Sequence, residues 1–261
     1  MDIMNEIEKL NSAAWDEEKK KNNWWTRAVS SEETDRARHG DFQIGITPVR
    51  KMPEEWMEKI RGNVLALASG GGQQGPLLAA AGYDVTVADV SSEQLAQDRM
   101  AAERDSLAIR TVKTSMSDLS VFGDDEFDTV ICPVSINFVE DCRTVFRQVS
   151  RVLRKDGFFM FGIANPVMYI FDVGRLEKGR MKIKYTLPFS ALHSLSAHER
   201  EKLEREKGTF EFSHTLNSII GGLCGEGFMI DAFYSDTSGF EPVDSYIQDC
   251  YLAFSAVNAK V

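Results

Sequence analysis

"VLALASGGGQQGPLLAAAGYDVTVADVSSEQL" runs from Val64 to Leu95. Its first five residues, Val64–Ala68, form a short apolar run without polar alternation, which predicts a strand buried on both faces. Ser69-Gly70-Gly71-Gly72 interrupts it. Gly75–Ala81 then reads as a helix that Gly82 stops. Val85–Ala88 is a second apolar strand, and Asp89 closes it. Ser91 or Ser92 caps a further helix running to about Arg104, with Glu93 and Gln94 in its first turn. Strand, helix, strand, helix in this order predicts a parallel sheet with crossover helices on its faces.

The same alternation continues downstream. Ile109–Lys113 reads as a strand, and "FDTVICPVS" as a strand of the fully buried kind. "CRTVFRQVSRVLRKDG" places Val145, Phe146, Val149, Val152 and Leu153 at helical spacing and is expected to end at Gly157. "FFMFGIA" is the next strand. After Asn165 the pattern changes. "MKIKYTLPFS" reads as an extra strand, "SAHEREKLEREKG" as a charged surface helix and "SHTLNSIIGGLCGEG" as another helix. "FMIDAFYSD" and "CYLAFSAVNA" close the chain as strands, in an expected antiparallel hairpin. Upstream, Glu6 to Lys21 is helix-like, and "PEEWMEKI" is a short helix with Pro53 at its first turn.

The expected fold is therefore α/β, a doubly wound, mostly parallel seven-stranded sheet with an N-terminal helical segment and an insertion after the fifth strand. The expected organisation is one domain over 1–261. Within it, 1–60 is a cap, 61–165 a ligand-binding core, 166–212 a lid or insertion and 213–261 the end of the core.

Composition narrows the partners. A formal net charge of −10 offers no basic face for nucleic acid, so none is expected. No apolar run reaches 18 residues, and the N-terminus is charged and lacks an apolar signal segment, so a cytoplasmic protein with no membrane partner is expected. The four cysteines, Cys132, Cys142, Cys224 and Cys250, form no C-x-x-C pair. They read as reduced thiols, and no metal is expected. A monomer or homodimer is anticipated.

In a doubly wound sheet, ligands bind beyond the carboxyl ends of the strands, where strand order reverses. Ser69–Gly72 sits on such a loop, with small residues that permit close approach and N–H groups at a helix start. A P-loop is excluded, because Gly70 leads to Gly75-Pro76 with no Lys and no Ser/Thr following. Gly70-Gly71-Gly72-Gln73-Gln74-Gly75 does spell the dinucleotide pattern, and Asp89 stands about 20 residues on, at the ribose-binding acid's place. The closing hairpin argues against that class, because a second mononucleotide half is missing. A nicotinamide-dependent oxidoreductase stays open as a lesser reading.

The chain resembles class I S-adenosylmethionine-dependent methyltransferases. The resemblance covers about Val64 to Ala164, on Val64–Gly72, "VTVADVSSEQL", "FDTVICPVS" and "VLRKDGFFMFG". The run "LASGGGQQGPLLAAAGYDVTVADVSSEQLAQDR" looks like a poorly characterised bacterial group. The resemblance implies S-adenosyl-L-methionine as cofactor and S-adenosyl-L-homocysteine as product. It implies that Asp89 accepts both ribose hydroxyls and that Val90 packs on adenine. Ala68, Ser69, Gly70 and Gly72 would line the methionyl part, and Pro133 and Val134 would border the sulfonium. Two departures stand out. Ala66 replaces the first-motif acid, and Ser115 stands where an acid often meets the adenine amino group, with Met116 against the ring. An S-adenosylmethionine-binding protein without transfer activity is the alternative that these departures keep open.

A sulfonium brings its own electrophile, so the protein must align the acceptor, exclude water and remove a proton where the acceptor carries one. The expected partner is a small molecule. Its contacts are expected from Trp24, Trp25, Ser135, Asn137 and Asn165, with His193 also in range and Tyr169 and His214 as candidate catalytic groups. "CPVS" is not the tetrad of amino-methylating nucleic-acid enzymes, and "NPVMY" at Asn165 follows the wrong strand.

Overall fold

The structure is a computed structural model that describes residues 5–21, 24–176 and 178–260, with Trp24 described by its backbone only. In chain order the regular elements begin with α1 (Glu6–Lys20), a 3₁₀ turn (Trp24–Thr26), α2 (Ser31–Arg38) and α3 (Glu54–Met57). Then come β1 (Asn63–Leu67), α4 (Gln74–Ala80), β2 (Asp84–Asp89), α5 (Ser92–Asp105), β3 (Ile109–Lys113) and β4 (Phe127–Cys132). They continue with α6 (Cys142–Val152), β5 (Leu153–Ala164), α7 (Val173–Leu176) and α8 (Ala197–Arg205). A π-helical turn (Asn217–Gly221), α9 (Gly222–Gly225), β6 (Phe228–Asp236) and β7 (Tyr251–Asn258) complete the chain.

One seven-stranded sheet has the order β3-β2-β1-β4-β5-β7-β6. β1 is an interior strand, parallel to β2 on one side and to β4, the middle strand, on the other. The chain winds outward from β1 in one direction and from β4 in the other, so strand order reverses between these two. β7 runs antiparallel to both β5 and β6, which makes the sheet mixed. The expected antiparallel ending is present, with β7 inserted between its neighbours.

Strand pleating sends alternate side chains to opposite faces, and the two cores follow from that. Leu65, Leu67, Val130, Cys132, Phe159 and Phe161 pack on one face against Val145, Phe146 and Val149 of α6. Val64, Ala66, Val87, Ile131 and Met160 pack on the other face against Leu78 of α4, Leu95 of α5 and Trp56 of α3. Ala66, the departure from the family acid, is fully buried in the second core.

Three expectations change. Helix α6 ends at Val152, not at Gly157, because Leu153 already pairs with Phe127 of β4. Gly157 sits instead in an irregularity of β5, where a Cβ would lie 2.9 Å from the carbonyl oxygens of both Arg154 and Asp128. "MKIKYTLPFS" forms no strand. Only the isolated bridges Phe171↔Ile183 and Ser190↔Phe212 occur there, and Ile183 and Leu187 are exposed, so the alternating apolar positions do not share one buried face. "SHTLNSIIGGLCGEG" is a π-helical turn followed by one short α-helix. The stretch 166–212 adds no strand to the sheet and carries a small core of Ala191, Phe210 and Phe212, against which Ile7 and Leu10 of α1 pack.

Candidate functional site

The loop after β1 is held by an unusual number of internal bonds. Ala68 turns the chain in the left-handed region at φ 47°, and its N–H donates to Ala88 O at 2.7 Å. Ser69 Oγ donates to Gln74 Oε1 (2.9 Å), and Gln74 Nε2 donates to Gly45 O (3.0 Å). The Gly70 N–H donates to Asp89 Oδ2 at 2.9 Å. The Gly71 and Gly72 N–H groups donate to Asp98 Oδ2 at 3.0 and 3.2 Å. The amides expected to face a ligand are therefore bonded to two of the protein's own carboxyls. A Cβ on Gly70 would lie 2.7 Å from Gln94 Cβ and 2.9 Å from Asp89 Oδ2, so glycine is required there by the fold.

Both carboxyls carry the mark of burial. Asp98 is wholly buried; desolvation pushes its pKa up to about 8 against the pull of the two amides, and the nearby Asp89 raises it further. Asp89 also accepts from the Ser91 N–H (2.8 Å), and burial pushes it up to about 6. The Ser91 hydroxyl, not that of Ser92, caps α5.

Above this loop lies a cavity of about 640 Å³ at the carboxyl ends of the central strands. Ala68, Ser69, Gly70, Asp89, Val90, Ser115, Met116, Pro133, Val134 and Ser135 all line it, together with Trp25. Gly72 does not line it; its carbonyl accepts from the Val29 N–H, and a Cβ there would meet Ala28. The cover comes from Glu8, Asn11 and Trp15 of α1 and from the segment around Ile44–Thr47. Gln94 also lines the cavity, and its Oε1 is buried without a hydrogen-bond partner.

Sequence reading missed Glu8. It is 7% exposed and accepts a short hydrogen bond from Ser115 Oγ, which brings a carboxylate from α1 to the place where Ser115 lacks one. Its pattern with Asn5 is a capping box, a local role that conceals the distant one. Asp98 was missed too, being a polar residue inside an ordinary helix.

A second cavity of about 330 Å³ adjoins the first. Trp15, Trp25, Val134 and Phe138 line both. It also holds Asn137, Tyr169, Glu211 and Tyr251. The Tyr169 hydroxyl donates to Glu211 Oε2 at 2.6 Å, and burial together with Glu211 raises the Tyr169 pKa well above its usual range. Glu211 is the residue for which no sequence signal existed.

Other candidates fall elsewhere. Asn165 lines neither cavity; it caps the 3₁₀ turn Pro166–Ile170 and donates to Asp249 O at 2.7 Å. His214 lines neither; it is 7% exposed, its Nε2 lies 3.1 Å from Ile136 O, and burial lowers its pKa. It pins the turn after β4 from behind. His193 lies in neither lining. The Trp24 side chain lies outside the described residues.

An interior β1 flanked by β2 and β4, a reversed β7 and a glycine loop over an acidic β2 end together define the methyltransferase class of α/β fold. The comparisons agree. The methyltransferase domain family matches residues 65–161. The chain is 44% identical over 245 residues to the uncharacterized methyltransferase YbaJ of Bacillus subtilis, covering 94% of this chain and 96% of that protein. The chain belongs to the methyltransferase family. A solved S-adenosylmethionine-dependent methyltransferase of Mesorhizobium loti is similar in fold, with 18% identity, a TM-score of 0.58, and coverage of 75% of this chain and 90% of that one. One from Methanosarcina mazei is 19% identical with a TM-score of 0.57, over 79% of this chain and 98% of that one. Among the described residues no helix is long and apolar enough to cross a membrane.

Proposed function

We propose that this chain transfers a methyl group from S-adenosylmethionine to a small-molecule acceptor, with the cofactor in the larger cavity and the acceptor in the smaller one. The observation that carries the cofactor assignment is the double use of Asp89 and Asp98. A dinucleotide loop offers its amides to a pyrophosphate. Here those amides are already bonded to Asp89 and Asp98, so they are not free to cradle a pyrophosphate. The same arrangement suits a ligand that brings donors and positive charge: ribose hydroxyls, an adenine amino group, a sulfonium. Gln94, which also lines the cavity, keeps a buried acceptor, Oε1, without a donor.

In this reading Asp89 takes the ribose hydroxyls with its remaining lone pairs. Val90 and Met116 flank the adenine, and Ser115 with Glu8 faces its amino edge. Ala68, Ser69 and Gly70 run beside the methionyl part, and Pro133 and Val134 border the reacting carbon. The cofactor supplies an activated methyl carbon, while the protein aligns the acceptor and excludes water.

Calorimetric titration with S-adenosylhomocysteine and with NAD tests the assignment. S-adenosylhomocysteine is expected to bind in the micromolar range, roughly −7 to −9 kcal/mol, and NAD is expected not to bind. Absence of heat and of thermal shift with millimolar S-adenosylhomocysteine overturns the reading. Methyl incorporation from labelled cofactor separates transfer from binding alone.

A further inference from the structure

We propose that the smaller cavity is a binding site for an organic ammonium ion, which makes the acceptor class an amine. The acceptor role rests on the methyltransferase reading above; the ammonium preference does not.

The polar groups inside the cavity are unbalanced. Glu211 accepts from neutral donors only, the hydroxyls of Tyr169 at 2.6 Å and Thr209 at 3.1 Å and the side-chain amide of Asn137. Among the described residues no Lys, Arg or His pairs with it. Lys207 reaches the cavity wall, but its ammonium lies 3.3 Å from Glu17. Asn137 lines the same cavity with its side chain 4% exposed, and its Oδ1 is buried without a hydrogen-bond partner. Both open positions are therefore acceptors, so the ligand must bring the donors.

An ammonium carries three donors and a positive charge. It can meet the charge of Glu211, whereas an alcohol brings no charge and a carboxylate brings the wrong one. The rest of the wall suits a cation as well. Trp15, Trp25 and Tyr251 line it, and aromatic faces attract positive charge most strongly in desolvated sites. The tyrosines cannot supply the missing anion. Burial holds Tyr251 up at about 12 and pushes Tyr169 well above its usual range, so both remain hydroxyl donors and Glu211 is the charge that a cation would meet. Tyr169 is held in place by stacking on Phe189, with ring centroids 5.6 Å apart, so the charge partner is set by the 166–212 segment and not by the sheet.

The site adjoins the cofactor cavity across the shared residues Val134 and Phe138, which border both. An ammonium must lose a proton before its nitrogen can form a bond to the methyl carbon, as the carbon–sulfur bond of the sulfonium breaks and its electron pair leaves with the thioether. Glu211, whose pKa burial raises, is the group positioned to take it.

The test uses the full chain and three primary amines of increasing size: butylamine, cyclohexylamine and phenethylamine. Each is compared with its alcohol and its carboxylate isostere, by quenching of tryptophan fluorescence and by calorimetry, with and without S-adenosylhomocysteine. At least one amine is expected to bind about tenfold or more tightly than its alcohol, and the carboxylates are expected not to bind. E211Q is expected to remove that preference, to leave alcohol affinity within about twofold, and to keep S-adenosylhomocysteine affinity as the control for folding. Absence of any amine preference in the parent, including absence of binding by all nine probes, overturns the proposal. So does an unchanged amine affinity in E211Q. If S-adenosylhomocysteine fails to bind while the amine preference holds, the methyltransferase reading falls and the ammonium site stands. The converse result sinks the ammonium site alone.

Discussion

Asp89 performs two tasks at once. Its Oδ2 fixes the Gly70 amide and its Oδ1 the Ser91 amide, and the residue lines the larger cavity. If Asp89 accepts the ribose hydroxyls as proposed, Asp89→Ala is expected to weaken S-adenosylhomocysteine binding by about 2–3 kcal/mol, read by calorimetry, because a charged acceptor is lost. It should also lower stability, since the Gly70 amide loses its partner. Wild-type affinity in this variant would refute the ribose role. Gly70→Ala is expected to abolish binding at millimolar ligand by displacing Asp89 and Gln94, both within 3 Å of the added carbon. Retained binding in that variant would show that the loop yields at little cost. Asp89, Ser69 and Gly70 could be read from the chain because a loop and the strand beside it are contiguous. Glu8, Asp98 and Glu211 could not. Glu8 meets Ser115 from 107 positions away, and Glu211 stands in a stretch whose own pattern is merely polar.

Elements show the same division. The central strands were legible because buried parallel strands are unbroken apolar runs punctuated by glycine. The start of β5 was not, because "LRKD" is polar and continues a helical pattern, and only its pairing with β4 makes it a strand. "MKIKY" alternates like a strand but has no neighbour in the sheet to pair with. At this scale α1 is the element that closes the site. The Asn11 side chain accepts from the Phe210 N–H (2.7 Å) and donates to the carbonyls of Phe138 (3.1 Å) and Phe210 (3.0 Å). Asn11→Ala leaves those buried groups without partners and is expected to cost about 1–3 kcal/mol in denaturant unfolding. Amide exchange should accelerate in α1 and near Phe210 while β1 and β4 keep their protection. Unchanged exchange in both segments would show that Asn11 does not couple them. Ligand binding should slow exchange in α1 and in 166–212 if these segments cover the site as a lid; no change in either would place the cover elsewhere.

For the molecule as a whole, the buried carboxyls set a pH dependence. The pKa of Asp98 is higher folded, at about 8, than unfolded. Its contribution to stability is therefore fully present below about pH 4 and is lost as pH rises through about 8, by at most about 1.4 kcal/mol per pH unit. Asp98→Asn removes that titration, so the stability of the parent relative to this variant should fall between pH 4 and 8. Parallel stability curves would mean that Asp98 is not perturbed. The reach of Asn11 has a further consequence for how the protein is made. Its partners lie 127 and 199 positions further along the chain. During synthesis, the first helix must wait for residue 210 to emerge before its polar side chain finds its bonds, whereas β1, α4 and β2 can associate much earlier. Closing so long a loop comes late in folding as well as in translation. A nascent chain arrested before Phe210 would carry the glycine loop without its cover, and the part of the protein made first would be the last to acquire its place.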